Sequence, residues 1–509
     1  MDEVFYAQAG ISMIEGNMHG NPTHMHAPLA KYLIGASQWL FGVSEETIRA
    51  PIAMIGVASI TVIYGTARYV FNRLTALVAA LLLAALPEYN YYATMAMLDV
   101  PLAVVVTAAF GVTVWWYREE RDGQAASILG TLSVFAGSIK VQGALYVFGL
   151  LAIVSWMALV EHRNRWRRIV RAYTVGAVLT FILVYLPFAF SPAPTYYGGA
   201  TPPEIAQTIF SIPWLGSVAF AFAASIVHNL SHLDNGHRVI VLGTTYFSPP
   251  AWVLPYWIAT FGGIPYLAGL VTAVIAALGR IGDRGIRIGF VGLLIGPLLI
   301  HSVLSVKLSR YLVPLYPLLA LAAGYLIVKI SMVVVRFVSD QRSKKLASQR
   351  RLVAVAITLL LLISIVPPSL GGATTHDSIR TDSGIGDASK DITNHASENT
   401  QATAIVVNPL PFRWYLGEHR VGKFTKNVHV PKQFAVGDRS VTLVGTKYSN
   451  IGTVLDKRRP CLVVVSTSWV DKVDEDNSVL QYIEDSIDNR DNIKRHGEFM
   501  VIDTCSGDS

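Results

Sequence analysis

Acidic side chains that could do chemistry occur at a few points of an otherwise apolar chain. Asp2 and Glu3 are adjacent carboxylates, and such a pair can supply a general base together with a substrate or metal contact. Asp99 opens a long apolar run, where an ionisable side chain is costly and is therefore a candidate functional group. Simpler interpretations remain open. The Asp2-Glu3 pair could be a solvated terminus, and Asp99 could cap a helix that begins before Pro101.

Two basic segments carry the opposite charge. Lys140 separates two apolar runs, and it could either extend its ammonium to the membrane surface or hold a lipid phosphate. Lys307, Arg310 and Tyr311 share one face if their segment is helical, since residues three and four apart are neighbours on a helix. Two fixed cations and a phenol predict a phosphate clamp, although an interfacial anchor would use the same residue types.

Histidines are the remaining candidates. His24 and His26 stand two residues apart before Pro28, and His237 lies in a long loop. A divalent metal could bind near His26 or His237, but histidines in loops are more often simply solvated, and the sequence contains no ligand cluster that requires a metal. The sequence therefore predicts that no cofactor is required.

The composition places these residues in a membrane protein. Hydrophobic residues make up 52% of the 509, charged residues make up only 15%, and the mean hydropathy is +0.44. An average globular chain is about one-quarter charged. About ten runs approach the roughly 20 residues that a helix needs to cross a bilayer. The candidate spans are roughly 50–70, 74–90, 99–117, 125–139, 142–160, 170–190, 253–277, 287–306, 311–334 and 351–368.

Basic loops set the predicted orientation, because Lys and Arg accumulate in cytoplasmic loops. Residues 161–171, 279–287 and 336–351 are rich in arginine and fall on one side of the predicted spans. The candidate site residues fall on the other, non-cytoplasmic side. The net charge of +7 is thus mainly a topology signal, and no nucleic acid partner is expected.

Three regions follow from these spans. Residues 1–49 are predicted to be an external catalytic segment with an interfacial helix, and residues 50–368 to be a transmembrane domain with an external loop at 191–250. An upstream membrane helix is expected before Met1 to translocate the first segment, unless the span at 50–70 translocates it as a short tail.

Residues 369–509 are polar and are predicted to form an external α/β domain. Both cysteines, Cys461 and Cys505, lie in it, and either a disulfide or two free thiols would fit there. The predicted elements are strands at Ala402–Val407, Cys461–Val465 and Phe499–Ile502, and a helix near Ser478–Ile487.

The order and spacing of the candidate residues resemble those of C-type glycosyltransferases, in particular protein O-mannosyltransferases and the aminoarabinose transferases of lipid A. Ala27 replaces a family proline and Ile139 interrupts a family Thr-Lys pair. The matching segments are Asp2-Glu3-x-x-Tyr6, His26-Ala27-Pro28-Leu29-x-Lys31, Arg49-Ala50-Pro51, Leu98-Asp99-Val100-Pro101-Leu102, Ser138-Ile139-Lys140, Asn235-Gly236-His237 and Lys307 to Pro317.

The resemblance implies a polytopic α-helical membrane enzyme whose donor is a monosaccharide on polyprenyl (dolichyl) phosphate. A single inverting displacement would pass the sugar to a protein, lipid or glycan acceptor at the outer face of the cell membrane. Asp2 would take the acceptor proton, with Glu3 and Asp99 as the other catalytic carboxylates. The substrate-binding residues would be His26, Lys140, His237, Lys307, Arg310 and Tyr311.

The alternative is a polytopic transporter or lipid flippase. Such a protein is expected to show internal repeats and charged groups at the middle of the membrane, and the sequence shows neither. The resemblance does not extend to enzymes that transfer a whole oligosaccharide. Oligosaccharyltransferases carry a Trp-Trp-Asp motif in their external domain. The only Trp-Trp pair here, Trp115-Trp116, falls on the predicted cytoplasmic side. The sequence identifies neither the sugar nor the acceptor.

Overall fold

The computed structural model contains two compact units. One comprises Met1–Gln8 and Thr375–Ser509, and the other comprises Ala9–Thr374. The described residues are 2–19, 26–191, 208–235, 239–242, 244–246, 248–340, 385–398, 402–407, 412, 432–436, 439–446, 462–466, 493–496 and 499–503.

Helices dominate the N-terminal two-thirds of the chain. They are α1 (Asp2–Ile14), α2 (Leu29–Phe41), α3 (Glu45–Val70), α4 (Arg73–Ala84), α5 (Pro87–Ala93), α6 (Asp99–Glu119), α7 (Asp122–Ile139), α8 (Gly143–Trp156), α9 (Trp166–Ala189), α10 (Leu215–Asn235), α11 (Val253–Ala277), α12 (Arg284–Phe290), α13 (Gly296–Val303) and α14 (Tyr316–Asp340). Short π or 3-10 turns occupy Met157–Glu161, Arg163–Arg165, Val291–Ile295 and Ser309–Leu315. A small hairpin pairs β1 (Val239–Val241) with β2 (Thr244–Tyr246).

Seven helical segments of the described residues are long and apolar enough to cross a membrane, and the bent pair of α4 and α5 would be an eighth. The chain is therefore an integral membrane protein, as predicted. The predicted span at 125–139 forms helix α7 but is not among the seven. The predicted span at 351–368 lies outside the described residues.

The sequence predicts helix α2 but not helix α1. Ala9 and Ile11 of α1 are buried. That residues 1–49 form an external catalytic segment stays a prediction. Helix α2 buries Ile34 but leaves Trp39 and Phe41 63% and 75% exposed, so apolar side chains at its C-terminal end are uncovered. Its location at the membrane interface stays a prediction.

Glycines allow two pairs of helices, α7 with α9 and α1 with α2, to pack closely. Gly130 of α7 meets the backbone of α9, and Gly176 of α9 meets the backbone of α7, so that a Cβ on either would overlap a carbonyl group. Gly10 of α1 and Gly35 of α2 make the same kind of contact. Small residues are typical of such contacts, because helices in lipid associate through close van der Waals packing.

The unit formed by Met1–Gln8 and Thr375–Ser509 contains, among its described residues, a six-stranded mixed sheet with the order β4-β5-β3-β6-β8-β7 and the helix α15 (Ile385–Glu398). The central strand β3 is parallel to both neighbours, and the other pairings are antiparallel. The strands are β3 (Ala402–Val407), β4 (Lys432–Val436), β5 (Arg439–Thr446), β6 (Leu462–Ser466), β7 (Ile493–His496) and β8 (Phe499–Asp503).

The three strands predicted from the sequence, now β3, β6 and β8, are confirmed, as is the helical membrane protein with a C-terminal α/β domain. The β-branched residues of β6 and β8 are buried, as at Val463 and Val501. The helix expected near Ser478–Ile487, and both Cys461 and Cys505, lie outside the described residues.

Candidate active site

A buried ion pair joins two segments that are far apart in the sequence. Lys140 Nζ donates a hydrogen bond to Asp99 Oδ1 at 2.6 Å, and the two side chains are only 3% and 1% exposed. The second carboxylate oxygen, Asp99 Oδ2, is buried and has no hydrogen-bond partner among the described residues. Because an unpaired buried charge is costly, each residue holds the other in place, while Oδ2 can accept a further hydrogen bond.

The ends of two helices bring this pair together. Asp99 is the first residue of α6, and Leu98 takes the N-cap position, so Asp99 is not the helix cap that one interpretation proposed. Lys140 follows the last residue of α7 with extended backbone angles, φ −152° and ψ 149°. The Lys140 ammonium is buried against Asp99.

The ring of Tyr311 connects this pair to other side chains. Lys140 Nζ lies 5.0 Å and Arg310 Cζ lies 6.0 Å from the centre of the ring, within the range of cation–π attraction. His301 packs edge-on against the same ring, with 4.9 Å between the ring centres. Residues from three sequence motifs thus meet, and we name Asp99, Lys140, Arg310 and Tyr311 the central cluster.

Lys307 does not share a helical face with Arg310 and Tyr311, contrary to the prediction. Helix α13 ends before it, and Leu308 is extended with φ −126° and ψ 144°, so helical structure resumes only with the following 3-10 turn. The Lys307 ammonium donates a hydrogen bond to the Leu304 carbonyl. Burial lowers the pKa of Lys307 below its ordinary value.

A second acidic side chain lies beside the central cluster, and the motifs do not reveal it. Glu88 of α5 is buried. The Tyr92 hydroxyl lies within electrostatic range of Glu88, Asp99 and Arg310, and its hydrogen-bond partner is Ser309. Glu88 falls inside the predicted apolar span 74–90. An ionisable side chain inside a predicted membrane span is a functional candidate, so the sequence pattern could have identified Glu88.

His26 is placed by the helix that follows it. The His26 backbone carbonyl accepts a hydrogen bond from the Lys31 ammonium of α2. Lys31 is fully buried, and burial lowers its pKa to about 7. The Lys31 carbonyl in turn faces Gly10 of α1, where only a glycine leaves enough room. The motif around His26 therefore has a structural part, which is to fix the packing of α1 on α2.

The central cluster is defined without Asp2, Glu3 or His237. Asp2 begins helix α1, but its side chain is not among those described. Glu3 is buried and belongs to the unit that contains residues 1–8, whereas the central cluster belongs to the other. His237 lies outside the described residues. The roles of all three stay predictions.

The sequence predicts that a divalent metal is possible but not required. In the part of the chain that the structure describes, no group of three or more His, Cys, Asp or Glu side chains could hold a metal ion. The residues of the central cluster, with one carboxylate already paired to an ammonium, do not fit a divalent cation.

Comparisons with known proteins agree with the motifs. Residues 25–189 match the family model of dolichyl-phosphate-mannose-protein mannosyltransferases. A search of curated protein sequences gives no significant match.

Solved structures extend the similarity to almost the whole chain. ArnT from Cupriavidus metallidurans in the apo state has a TM-score of 0.55 at 15% identity, covering 99% of this chain and 93% of that one. The same protein bound to undecaprenyl phosphate has a TM-score of 0.53 at 15% identity, covering 99% and 94%. The Archaeoglobus fulgidus oligosaccharyltransferase tethered with an acceptor peptide has a TM-score of 0.53 at 16% identity, covering 92% and 65%. The resemblance predicted from the motifs is confirmed, and at these identities the structural similarity concerns the fold.

Proposed function

We propose that this membrane protein, which has the fold of the C-type glycosyltransferases, moves a monosaccharide from a polyprenyl-phosphate donor to an acceptor at the outer membrane face. The observation that carries the proposal is the central cluster, in which three separate sequence motifs meet at one buried ion pair. The undecaprenyl phosphate bound to the similar ArnT structure supports a lipid-phosphate donor. The acceptor peptide of the similar oligosaccharyltransferase structure supports a macromolecular acceptor, which for this chain is a protein, a lipid or a glycan.

The cations divide into a binding group and a supporting group. Arg310 and Lys307 bind the donor phosphate, because the Lys140 charge is already balanced by Asp99. Negative charge builds up on the phosphate as the bond from the anomeric carbon to the phosphate oxygen breaks, and fixed cations stabilise that charge most in a dry site. Lys140 contributes by holding Tyr311, whose ring also contacts Arg310.

The acidic residues act on the acceptor. Asp99 Oδ2 can accept a hydrogen bond from the acceptor and orient it, while Asp2 takes the proton that the attacking hydroxyl or amine loses. Glu3 and His237 assist in positioning. The acceptor oxygen or nitrogen bonds to the anomeric carbon as the phosphate leaves with the bonding electrons, and this single displacement inverts the sugar. No cofactor takes part in these steps.

Sugar transfer by the purified full-length chain in lipid nanodiscs tests the proposal. A panel of radiolabelled polyprenyl-phosphate sugars is supplied together with membrane extract as acceptor. One donor should lose its label to a lipid, glycan or protein fraction. The double variant Lys307→Ala/Arg310→Ala should slow transfer about 100-fold or more, because two charge-assisted phosphate contacts are lost.

Arg284→Ala is the matched control, since Arg284 is an exposed arginine whose ion pair with Glu161 has an N–O distance of 3.4 Å. It should transfer at the wild-type rate. A folded wild-type protein that transfers no sugar from any donor in the panel would contradict the proposal.

A further inference from the structure

His301 is a buried histidine beside the central cluster, and its ring makes no hydrogen bond to the residues that the structure describes. It lies in the last turn of α13 and is 4% exposed. Its two ring nitrogens, Nδ1 and Nε2, are both buried, and neither has a hydrogen-bond partner among the described residues. Native proteins rarely leave buried polar atoms unsatisfied, because the missing bond is costly. A histidine in this environment points to a ligand.

The surroundings of His301 indicate the charge of that ligand. Lys140 and Lys307 both lie within electrostatic range of its ring. The Tyr311 ring, against which His301 packs edge-on at 4.9 Å, also contacts Arg310. Several cations around one position concentrate anions there. An imidazole carries at least one N–H donor in either protonation state, so it can bind an anion without a change in its own charge.

We infer that His301 is a further phosphate-binding residue of this site, donating an N–H hydrogen bond to a phosphate oxygen of the lipid-linked donor. The inference rests on the proposed function and adds a residue that none of the sequence motifs contains. Lys307 and Arg310 supply charge from the connection between α13 and α14, whereas His301 supplies a directional donor from α13 itself. A donor from a separate element fixes how the phosphate is oriented.

Two substitutions separate hydrogen bonding from packing. His301→Leu keeps much of the volume and removes both ring nitrogens, whereas His301→Gln keeps an N–H donor. Ser302→Ala is the control on the same helix turn, since the Ser302 hydroxyl donates a hydrogen bond to the Leu299 carbonyl of its own helix. Affinity is measured for three probes with the full-length chain in nanodiscs: a short-chain polyprenyl phosphate, the matching polyprenol and inorganic phosphate.

His301→Leu should weaken binding of polyprenyl phosphate about tenfold or more, as expected for a lost hydrogen bond to a charged group. His301→Gln should stay within about threefold of the wild type, because its amide donor substitutes for the ring. Polyprenol binding should be the same in all variants. A loss for inorganic phosphate as well would mean that the residue recognises the phosphate group itself, which supports the inference.

Two results would overturn the inference. One is wild-type affinity of His301→Leu for polyprenyl phosphate. The other is equal weakening for polyprenol and polyprenyl phosphate, which would mark a packing role. If the wild type binds no polyprenyl phosphate, the proposed function fails first and the inference with it.

Should His301→Leu not fold, NMR of histidine-labelled wild-type protein decides the question, with His301→Gln used for assignment. The His301 ring signal must then shift with polyprenyl phosphate and not with polyprenol. An unchanged signal would refute the inference.

Discussion

Asp99 and Lys140, which are 41 residues apart in the sequence, form an ion pair of 2.6 Å that is almost completely buried. The pair connects the start of α6 to the end of α7, and through the Lys140 ammonium it also supports the Tyr311 ring. Neither charge can be removed alone without leaving the other unbalanced in the protein interior. The pair therefore stabilises the fold and also supports the side chains of the proposed site.

Replacing one residue of this pair should destabilise the protein more than replacing both. Asp99→Leu or Lys140→Met alone is expected to lower the free energy of unfolding by about 3–5 kcal/mol, because each leaves an uncompensated buried charge. The double variant should lose far less than the sum of the single losses. Thermal unfolding of the purified variants in detergent measures all three. Additive losses would show that the two residues do not depend on each other.

Lys31 should make stability depend on pH. Burial lowers the pKa of Lys31 from its ordinary value of 10.5 to about 7 in the folded chain. Between these values the unfolded chain binds more protons, so stability rises with pH by at most about 1.4 kcal/mol per unit. Below pH 7, where Lys31 is protonated in both states, the full cost of burying the charge remains. Lys31→Met should therefore stabilise the protein most below pH 7, with a benefit that shrinks towards pH 10.

Thermal unfolding of the wild type and Lys31→Met from pH 6 to 10 checks this. A stability difference that does not change with pH would contradict the prediction. The same experiment on Lys390→Met controls for general effects of removing a lysine, since the Lys390 side chain is 75% exposed.

The arginine-rich connections predict that residues 161–171 face the cytoplasm and that residues 369–509 lie outside. Asn164 and Asn394 are exposed positions in these two regions. Asn164→Cys and Asn394→Cys, each made in a chain whose own two cysteines are replaced, should react with a membrane-impermeant thiol reagent from opposite sides. Labelling of both from the same side would contradict the predicted topology.

Asp2 is proposed as the base that takes the acceptor proton. Loss of a general base usually costs about 10²–10⁴-fold in rate, so Asp2→Asn should lower turnover strongly while leaving donor binding nearly unchanged. Glu15→Gln is the matched control, because Glu15 is an exposed acid just after the same helix. Steady-state kinetics with a lipid-phosphate sugar compares the two, and wild-type turnover by Asp2→Asn would exclude Asp2 as the base.

Apolar runs and β-branched runs predicted the elements well. Helix α11 begins and ends where the apolar run at 253–277 predicts, and strand β3 covers the predicted Ala402–Val407. The helix can be predicted from a short stretch of sequence, since a helix in lipid must satisfy its own backbone hydrogen bonds. The family motifs also identified Asp99, Lys140 and Arg310, which the fold brings together with Tyr311 in the central cluster.

Tertiary contacts were less predictable. The sequence left Lys140 with two interpretations, because only the fold reveals that α7 ends opposite the start of α6 and so pairs Lys140 with Asp99. The helical face expected for Lys307 and Arg310 does not form, since Leu308 is extended between them. Spacing alone cannot reveal such a break.

Arg310, beside Tyr311, is proposed to help hold the phosphate of a lipid-linked sugar donor. Single-turnover transfer of a labelled monosaccharide from polyprenyl phosphate, measured at increasing donor concentrations, tests this role. Arg310→Ala should weaken donor binding and slow transfer at saturation, together by about 10–100-fold, because a phosphate loses a charge-assisted contact in the ground state and in the transition state. Arg284→Ala should match the wild type. Wild-type donor affinity and transfer rate in Arg310→Ala would contradict this role.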